Sequence, residues 1–327
     1  MMPGQRGVAL ITVLLVVAIA MVVTAGMIAR QQLSIESSSQ QLNARQAWHY
    51  ALGGELLAKA ILSRDLRQPG SNPRQSVDHP QEAWARQLPP FEIDQGSVRV
   101  QIEDLSGRFN LNSLLRNGQP DPLAMQRFQR LLLRLNIDPA LAERLLDWLD
   151  ENQQSASAGG AEDSEYLLLQ PAYRAANRPL QEVSELRLLL DLDATQFQRL
   201  QPHVSALPAE TALNVNTASA LVLSTLADNL TPEAAQALVL ARGAEGFRSL
   251  AAFTAQPALA GMGELGDQLT VSSQYFLARS EVRLGERRRL LTSLLRREPD
   301  GRVLVLQRDL GQAARMLPAD PQTKEQP

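Results

Sequence analysis

The sequence predicts an α+β protein, in which a long N-terminal helix plus an antiparallel sheet accompany a large inserted all-α domain. Three observations support this prediction. An apolar run from Val8 to Ala29 continues without proline to Leu66, alternating polar and apolar residues occur at 97–103 and within 270–310, and helical patterns fill the residues between. The 327 residues exceed one ordinary domain, and 44% apolar with 20% charged residues is typical of a folding chain.

The N-terminal helix is predicted in two halves. Residues 8–29 carry no charge, and these 22 residues would span about 33 Å, enough for a transmembrane segment. Residues 30–66 are rich in Gln, Ala, Leu and Ser and carry a sparse apolar stripe, which predicts an exported helical half packed on a globular head. Gly53-Gly54 permits a break, so a membrane helix followed by a separate helix is the alternative to one continuous helix.

The sheet is predicted from strands on both sides of the inserted domain. Residues 97–103 alternate polar and apolar, and 274–284, 287–296 and 302–309 resemble a three-stranded meander. A lone strand would leave its backbone groups unpaired, so we expect 97–103 in one sheet with the meander at 270–310. Residues 104–269 then form the inserted helical domain, with helices starting at Asp138-Pro139, Ser184, Asn216 and Thr231-Pro232. Residues 317–327 are predicted to be a flexible tail.

Composition excludes several classes of function. The formal net charge of −3 gives no overall attraction to nucleic-acid phosphates. Without cysteine the chain has no disulfide, no thiolate zinc site and no thiol nucleophile. Its three histidines are scattered, and the motifs HExxH and GxSxG do not occur. The sequence therefore predicts a protein that is not an enzyme.

An acidic segment lies inside the predicted helical domain. Between Asp147 and Glu165 there are six carboxylates and no Lys or Arg. Asp147 and Asp150 share a helix face at i and i+3, and the glycine-containing loop that follows can return further oxygens to that face. Oxygen donors with flexible spacing suit Ca²⁺, although Ser155 and Ala161 stand where an EF-hand requires Gly and Glu. A solvated acidic loop without metal is the alternative interpretation.

The residues before the apolar run form a cleavage-like junction. Arg6-Gly7-Val8-Ala9-Leu10-Ile11 resembles the type IV prepilin site, where a prepilin peptidase cuts after the glycine and the new first residue is methylated. The resemblance implies a leader over 1–7, cleavage after Gly7 and a methylated Val8. Thr12 then stands at the fifth mature position, where most pilins carry a glutamate. A plain signal anchor and a cleaved secretory signal are the alternatives.

A longer resemblance covers most of the chain. Residues 145–189, with the runs DWLD, GAEDSEY, PAYRAANRPL and SELRL, resemble the minor pseudopilin K family of type II secretion systems, as does the later LNVNTASALVL. The family implies a pilin-like head with a helical insertion. It places the protein at the tip of the periplasmic pseudopilus, where it caps the filament and helps initiate its assembly for export of folded proteins across the outer membrane.

The resemblance also implies location, partners and a metal. The chain would cross the inner membrane once with its head in the periplasm, and would assemble with minor pseudopilins I, J and H and with the major pseudopilin, without nucleic acid. Calcium is expected in the inserted domain. The implied ligands are Asp147, Asp150, Asn152, Glu162, Asp163 and Glu165, with Asn177 and Glu185 in second rank. Members of the family lack the glutamate at the fifth mature position, as this chain does.

A second resemblance suggests another class of function. Residues 213–253 resemble a helix-hairpin-helix unit, and a membrane-anchored DNA-binding receptor is therefore the alternative function. Such hairpins use glycine backbone N–H groups to meet phosphate, whereas this chain has Asp228-Asn229-Leu230 there. Residues 208–268 also hold six acids and two arginines, a net charge of −4 that repels DNA. The unit is therefore interpreted as a structural helical pair.

Overall fold

The computed structural model describes residues 6–66, 76–263 and 265–310, and it begins with one long helix. This helix, α1 (Arg6–Leu66), has 61 residues and passes through Gly53-Gly54 without a break, so the continuous helix is confirmed. At the standard rise it is about 92 Å long. Residues 67–75, most of the predicted leader and the predicted tail lie outside the described residues.

Short strands and helices follow α1 along the chain. They are β1 (Phe91–Ile93), β2 (Gly96–Asp104), β3 (Phe109–Asn110), β4 (Leu115–Arg116), β5 (Gln119–Pro120), α2 (Pro122–Arg134), α3 (Leu141–Leu149), α4 (Asp163–Tyr166), α5 (Ala194–Leu200), β6 (Val204–Ser205), β7 (Leu213–Asn214), α6 (Ala220–Leu223), α7 (Pro232–Ala241), α8 (Leu250–Thr254), β8 (Leu269–Thr270), β9 (Tyr275–Leu284), β10 (Arg287–Arg297) and β11 (Val303–Asp309). Short 3-10 helices lie at Leu111–Leu114, Val183–Leu188, Gln201–His203 and Pro257–Leu259.

Five strands form one antiparallel sheet in the order β1-β2-β9-β10-β11. Strands from before and after the helical segments therefore pair directly, and the predicted fold class is confirmed. The predicted strands at 97–103, 274–284, 287–296 and 302–309 are present within one residue of those bounds. β1 was not predicted, because its three residues are too few to give an alternating pattern.

The second half of α1 packs on one face of this sheet through small residues. Ala51 and Ala58 are buried in the core shared with the sheet. Gly54 lies so close to β9 that a Cβ atom there would be 2.9 Å from the Cβ of Ser280, whereas a Cβ at Gly53 would meet nothing within 4 Å. The glycine pair thus serves close helix–sheet packing on one side and does not act as a hinge.

Buried ion pairs fix the position of α1 along the sheet. Glu55 is 3% exposed and accepts hydrogen bonds from Arg308, at 2.7 and 2.8 Å, and from Ser293 at 2.6 Å. Nearer the end of α1, Asp65 accepts from Arg297 at 2.9 Å. The last three turns of α1 are therefore tied to β10 and β11.

The helical segments leave the sheet at the end farthest from the apolar part of α1. β2 ends at Asp104, which pairs with Phe276, and Leu105 N donates to Tyr275 O across the point of departure. At the opposite end of the sheet Gly285 N donates to the carbonyl of Gln95, which lies near Asn43 and Gln46 of α1. The chain between β2 and β9 thus lies at the distal end of the molecule.

The segment between β2 and β9 is mainly helical, but not wholly so. It contains α2 to α8 and, among the described residues, three two-stranded ladders, β3–β6, β4–β5 and β7–β8, so the expectation of an all-α insertion is incomplete. Ser184 lies in a 3-10 helix and not in an α-helix. The helix expected after Asn216 begins at Ala220, with Ser219 as its N-cap.

This segment contains the same hydrogen-bonding unit twice. In each unit a short strand ends at the first asparagine of an N-x-N sequence. The side chain of this first asparagine accepts from the backbone N–H of the second asparagine. The side chain of the second asparagine binds both the N–H and the C=O of a residue in a distant loop. These residues are Asn110, Asn112 and Leu180 in the first unit and Asn214, Asn216 and Phe247 in the second. Because the side chain of Asn216 is engaged in this way, it does not cap a helix.

The two units have separate apolar cores and are joined by α2. Three arginines on one face of that helix, Arg127, Arg130 and Arg134, donate to backbone carbonyls of the second unit. Their spacing of three and four residues places them on one side of the helix. The two units are therefore held together by charged donors that satisfy buried carbonyls.

Candidate functional site

The acidic segment folds back around the last turn of α3. Asp147 is fully buried there, and its Oδ1 accepts from Ala156 N at 2.9 Å while its Oδ2 accepts from Ser155 Oγ at 3.2 Å. Gly160 passes so close that a Cβ atom would collide with Oδ2 of Asp147. The loop after α3 therefore wraps this carboxylate, and glycine is required at the point of closest approach.

Asp150 and Glu162 join Asp147 in a cluster of three carboxylates. One oxygen from each lies within 4.8 Å of the others. Asp150 ends α3 and accepts from Asn152 N at 3.1 Å. Glu162 is 4% exposed, and neither of its carboxylate oxygens has a hydrogen-bond partner among the described residues. A buried carboxylate without donors is costly, so these oxygens are the ones best suited to receive a cation.

Burial disfavours the ionised form of every member of the cluster. Burial raises the pKa of Glu162 to about 7, and the charges of Asp147 and Asp150 act in the same direction. Burial also raises the pKa of Asp147, against the hydrogen bonds from Ala156 and Ser155 that lower it. The pKa of Asp150 is raised, again chiefly by burial. A bound cation would remove both the repulsion and the need to protonate.

The other expected ligands of the acidic segment make hydrogen bonds elsewhere. Asp163 accepts from Ala175 N at 3.0 Å and pairs with Arg174 at 3.2 Å. Glu165 accepts from the N–H of Glu162 at 2.8 Å and so caps α4. Asn152 turns its side-chain oxygen to Gln154 N at 2.7 Å. These three side chains hold the loop in place around the cluster.

The two second-rank candidates also lie outside the three-carboxylate cluster. Asn177 donates to the carbonyl of Asn152 at 2.7 Å, and its own side-chain oxygen is buried without a partner among the described residues. Glu185 accepts from Gln181 N and pairs with Arg178 at 3.0 Å. Asn177 therefore ties the loop that holds the cluster, while Glu185 organises the 3-10 helix that follows.

The cluster fits a calcium ion by its donors. Ca²⁺ takes six to eight oxygens, and three carboxylates offer up to six, leaving room for backbone carbonyls or water. Zinc prefers nitrogen and sulfur ligands, and the described part of the cluster supplies neither. The unpartnered oxygens of Glu162 belong to the same cluster, in which one oxygen of each carboxylate lies within 4.8 Å of the others.

A second acidic cluster, which was not predicted from the sequence, is paired with an arginine side chain. Asp65, Asp78 and Glu82 present oxygens within 4.8 Å of one another, but Arg297 reaches Asp78 at 2.5 Å and Asp65 at 2.9 Å. Burial raises the pKa of Glu82 to about 7, with Asp65 and Asp78 adding to the effect. Arg297 lies 219 residues beyond Asp78 and 232 beyond Asp65, so no local pattern could have shown that the three acids surround an arginine. It joins α1 to the sheet.

The predicted cleavage site lies at the start of α1. Gly7 and Val8 are helical, and residues 1–5 lie outside the described part of the chain. From Leu10 to Ile28 the large apolar side chains are between 42% and 73% exposed. Among the described helices, α1 is the one long and apolar enough to cross a membrane. No buried face within the described residues explains that exposed apolar surface, and a lipid environment would.

The segment resembling a helix-hairpin-helix, residues 213–253, contacts the first repeated unit through Arg130. Its hairpin between α6 and α7 contains Asp228, whose carboxylate pairs with Arg130 of the first unit at 2.5 Å. The Thr231 side chain caps α7 by accepting from Ala234 N. The acidic residue of the hairpin is thus paired with the neighbouring unit.

Known proteins match nearly the whole chain. Two sequence-family profiles, both described as type II secretion system protein K, match residues 107–209 and 213–272, which correspond to the two repeated units. A protein of Pseudomonas aeruginosa named type II secretion system protein K is 52% identical over 97% of this chain and 96% of its own length. Its namesakes in Klebsiella pneumoniae and Aeromonas hydrophila are 38% and 31% identical, covering 94% and 93% of this chain and 97% and 96% of their own lengths.

A solved structure agrees with the sequence matches. A chain in the crystal structure of the GspK–GspI–GspJ complex from the enterotoxigenic Escherichia coli type 2 secretion system superposes with a TM-score of 0.75. The two chains are 32% identical, and the match covers 84% of this chain and 99% of the other.

Proposed function

The chain belongs to the type II secretion system protein K family of minor pseudopilins, and we propose that it caps the tip of a pseudopilus and helps initiate its assembly. In this proposal the head lies in the periplasm, α1 crosses the inner membrane before assembly, and the chain performs no catalysis. Its relatives carry the name of a secretion component, which favours this function over a membrane-anchored DNA receptor.

The observation that best supports a cap is the position of the helical segments. They leave the sheet at Asp104 and rejoin it before Tyr275, at the end distal to the apolar part of α1. In a filament of parallel helices, this mass lies above the head and blocks the addition of another subunit beyond it. The other side of these helical segments remains free to pack against subunits added at the membrane end of the filament.

The fifth position after the proposed cleavage supports the same role. A glutamate buried in lipid is costly unless it pairs, and in a filament it can pair with the amino terminus of the subunit ahead. A tip subunit has no subunit ahead. Thr12 carries no charge and so avoids that cost.

The proposed partners are minor pseudopilins I and J, followed by H and the major pseudopilin. The matched crystal structure is that of a complex of GspK with GspI and GspJ, which supports the first two. On this chain the surface available to partner helices is the side of α1 turned away from the sheet. There Leu42 and Leu56 are 65% and 61% exposed, and Gly53 offers space for a neighbouring side chain. Exposed apolar side chains beside a small residue favour close helix contact.

We also propose that the cluster of Asp147, Asp150 and Glu162 binds calcium and that the chain is cut after Gly7 and methylated on Val8. A calcium ion would neutralise the cluster and hold the loop after α3. Cleavage would free α1 to leave the bilayer as a filament subunit. The prepilin peptidase is the enzyme expected to make this cut, because the residues around Gly7 resemble its site.

Location within the filament is the decisive test. Gold-labelled antibody to the head should mark one end of isolated pseudopili in electron micrographs, while antibody to the major pseudopilin marks the whole shaft. Label distributed along the shaft would contradict a cap. Mass spectrometry of the mature chain tests processing separately: it should begin at methylated Val8, and Gly7→Arg should leave the longer, uncut chain.

A further inference from the structure

The second repeated unit meets the sheet and the end of α1 at a joint of buried side chains. Asn214 of that unit donates from its side-chain Nδ2 to Ser273 Oγ at 2.7 Å and to the carbonyl of Asp78 at 3.1 Å. Thr217 of the same unit donates from its hydroxyl to the carboxylate of Asp104, at the end of β2, at 2.5 Å. The unit is therefore attached to the rest of the chain through side chains that end on buried acids.

Ser273, between β8 and β9, connects the two sides of this joint. Its N–H donates to Asp78 Oδ2 at 2.7 Å, and its hydroxyl donates to Asp104 Oδ2 at 2.6 Å. Its carbonyl accepts from Arg297 at 3.0 Å. Asp78 and Asp104 are 0% and 8% exposed. Ser273 therefore holds two buried carboxylates and one guanidinium in a single network.

Negative charge exceeds positive charge in this network. Four of its side chains are carboxylates, and one guanidinium, that of Arg297, pairs with them among the described residues. Three of the four present oxygens within 4.8 Å of one another, and the fourth is joined to them through Ser273. Carboxylates this close and away from water cannot all stay ionised around one arginine, so the network holds protons. The four carboxylates are those of Asp65, Asp78, Glu82 and Asp104.

The two carboxylates that Arg297 does not contact change charge near neutral pH. Burial raises the pKa of Glu82 to about 7, and the charges of Asp65 and Asp78 act in the same direction. Burial raises the pKa of Asp104 to about 6, against three hydrogen bonds that lower it. Burial also raises the pKa of Asp65, although its ion pair with Arg297 acts in the opposite direction.

Six further titratable groups lie around the network and leave its charge balance unchanged. The two acids among them have arginine partners of their own, so they add no unpaired negative charge. The imidazole lies 3.9 Å from Glu82, and burial lowers its pKa, so it is uncharged at neutral pH. The six groups are His79, Glu103, Arg108, Glu245, Arg248 and Arg279.

We propose that this joint is a proton-sensitive attachment, which holds the second repeated unit tightly while Glu82 and Asp104 are protonated and loosens when both are ionised. A protonated Asp104 keeps both of its hydroxyl partners, because a hydroxyl can accept as well as donate. Ionisation adds buried negative charge between the end of α1, β2 and the second unit, and the repulsion favours separating them.

The direction of the pH effect follows from proton linkage. Both groups hold protons more tightly in the closed joint than in an open one, where their pKa values return toward the ordinary range. They therefore stabilise the closed joint at acidic pH, and this contribution is lost as pH rises through about 6 and about 7. The rigidity of the attachment between the second unit and the sheet then depends on the pH around the head.

Hydrogen exchange of the full chain in detergent, followed by mass spectrometry, tests the joint at about pH 5.5 and about pH 8. The amides of Asp78 and Ser273 report on it, because both donate to partners within the joint. Glu82→Gln should protect these amides more at the higher pH than at the lower, by a factor of about 25 if opening fully exposes the carboxyl. Asp104→Asn should do the same by a factor of about 4. The comparison with the natural chain at each pH cancels the pH dependence of exchange itself.

Glu55→Gln is the matched control. Glu55 is also buried where α1 packs on the sheet, but the hydrogen bond from Arg308 lowers its pKa, so its replacement should change protection equally at both pH values. The amide of Phe247, which donates to Asn216 inside the second unit, should not respond to Glu82→Gln. Effects of Glu82→Gln and Asp104→Asn that are equal at the two pH values would overturn the proposal. So would an effect that reaches the Phe247 amide in full, because the acids would then act on the whole fold and not on the joint.

Discussion

The contact between α1 and the sheet at Gly54 gives the sharpest stability prediction. Gly53 and Gly54 are adjacent in one helix, yet a Cβ atom added at Gly53 meets nothing within 4 Å. A Cβ added at Gly54 would lie 2.9 Å from Ser280 Cβ and 3.0 Å from Val100 Cγ2. The same substitution at neighbouring positions should therefore have effects of opposite sign.

The magnitudes follow from helix propensity and packing. Replacing glycine by alanine in a helix interior gains about 1 kcal/mol. At Gly53 this gain stands alone, so Gly53→Ala should stabilise the chain by about 1 kcal/mol. At Gly54 overpacking costs about 2–3 kcal/mol, which exceeds the gain, so Gly54→Ala should destabilise the chain by about 1–2 kcal/mol.

Urea unfolding of the full chain in detergent, followed by tryptophan fluorescence, measures both effects. Trp84 is 4% exposed and packs edge-on against Phe276 in the core between α1 and the sheet, so its signal reports the region concerned. Ser280→Gly removes the side chain that Gly54→Ala would strike. The double variant should therefore lose less than the sum of the two single losses. Gly54→Ala as stable as Gly53→Ala would refute the close-packing explanation.

Four further predictions concern the carboxylate cluster and the repeated units. In chelator, Glu162→Gln should stabilise the chain by about 3 kcal/mol at pH 8 and hardly at all at pH 5. The reason is that an acid whose pKa is raised in the folded state lowers the free energy of unfolding as pH rises from about 4.5 to about 7. Melting curves of this variant and of the exposed control Glu151→Gln at the two pH values measure the effect. The same Glu162→Gln variant should lose any rise in melting temperature caused by calcium. Gly160→Ala should weaken calcium binding at least tenfold in titration calorimetry, since its Cβ would displace the Asp147 carboxylate, and unchanged affinity would exclude that carboxylate as a ligand. Asn216→Ala should destabilise the chain by about 2–4 kcal/mol in urea unfolding, because it leaves the buried N–H and C=O of Phe247 unpaired.

Much of the fold could be predicted because the chain uses strong local patterns. The long strands of the sheet alternate in period two, and α1 is unbroken by proline over its whole length, so both were predictable from their residues. Gly53-Gly54 was harder, since sequence alone cannot tell a glycine that permits a break from one that permits close approach. Only the position of Ser280, far along the chain, separates the two cases.

The errors lie where a side chain has a distant partner. The pattern after Asn216 predicts that a helix starts there. The side-chain amide of Asn216 binds Phe247 instead, and the helix begins four residues later at Ala220. The short ladders β3–β6 and β7–β8 are two residues long and join strands far apart in sequence, so no periodicity in the sequence predicts them. Local propensity gives way to tertiary hydrogen bonds at these points.

The carboxylate cluster shows the same limit at a finer scale. Six acids between residues 147 and 165 are equivalent on charge alone, but the fold divides them by the backbone donors they meet. Asp163 and Glu165 find N–H groups at 3.0 and 2.8 Å, whereas Glu162 finds none among the described residues and is buried beside two other carboxylates. A carboxylate satisfied by backbone donors gains little from a metal, and an unsatisfied one gains much. Asp163 and Glu165 use the nearby backbone donors, and Glu162 is left without any among the described residues, which makes it the proposed calcium ligand. Replacing Glu162 therefore distinguishes a metal site from an acidic loop that binds no metal.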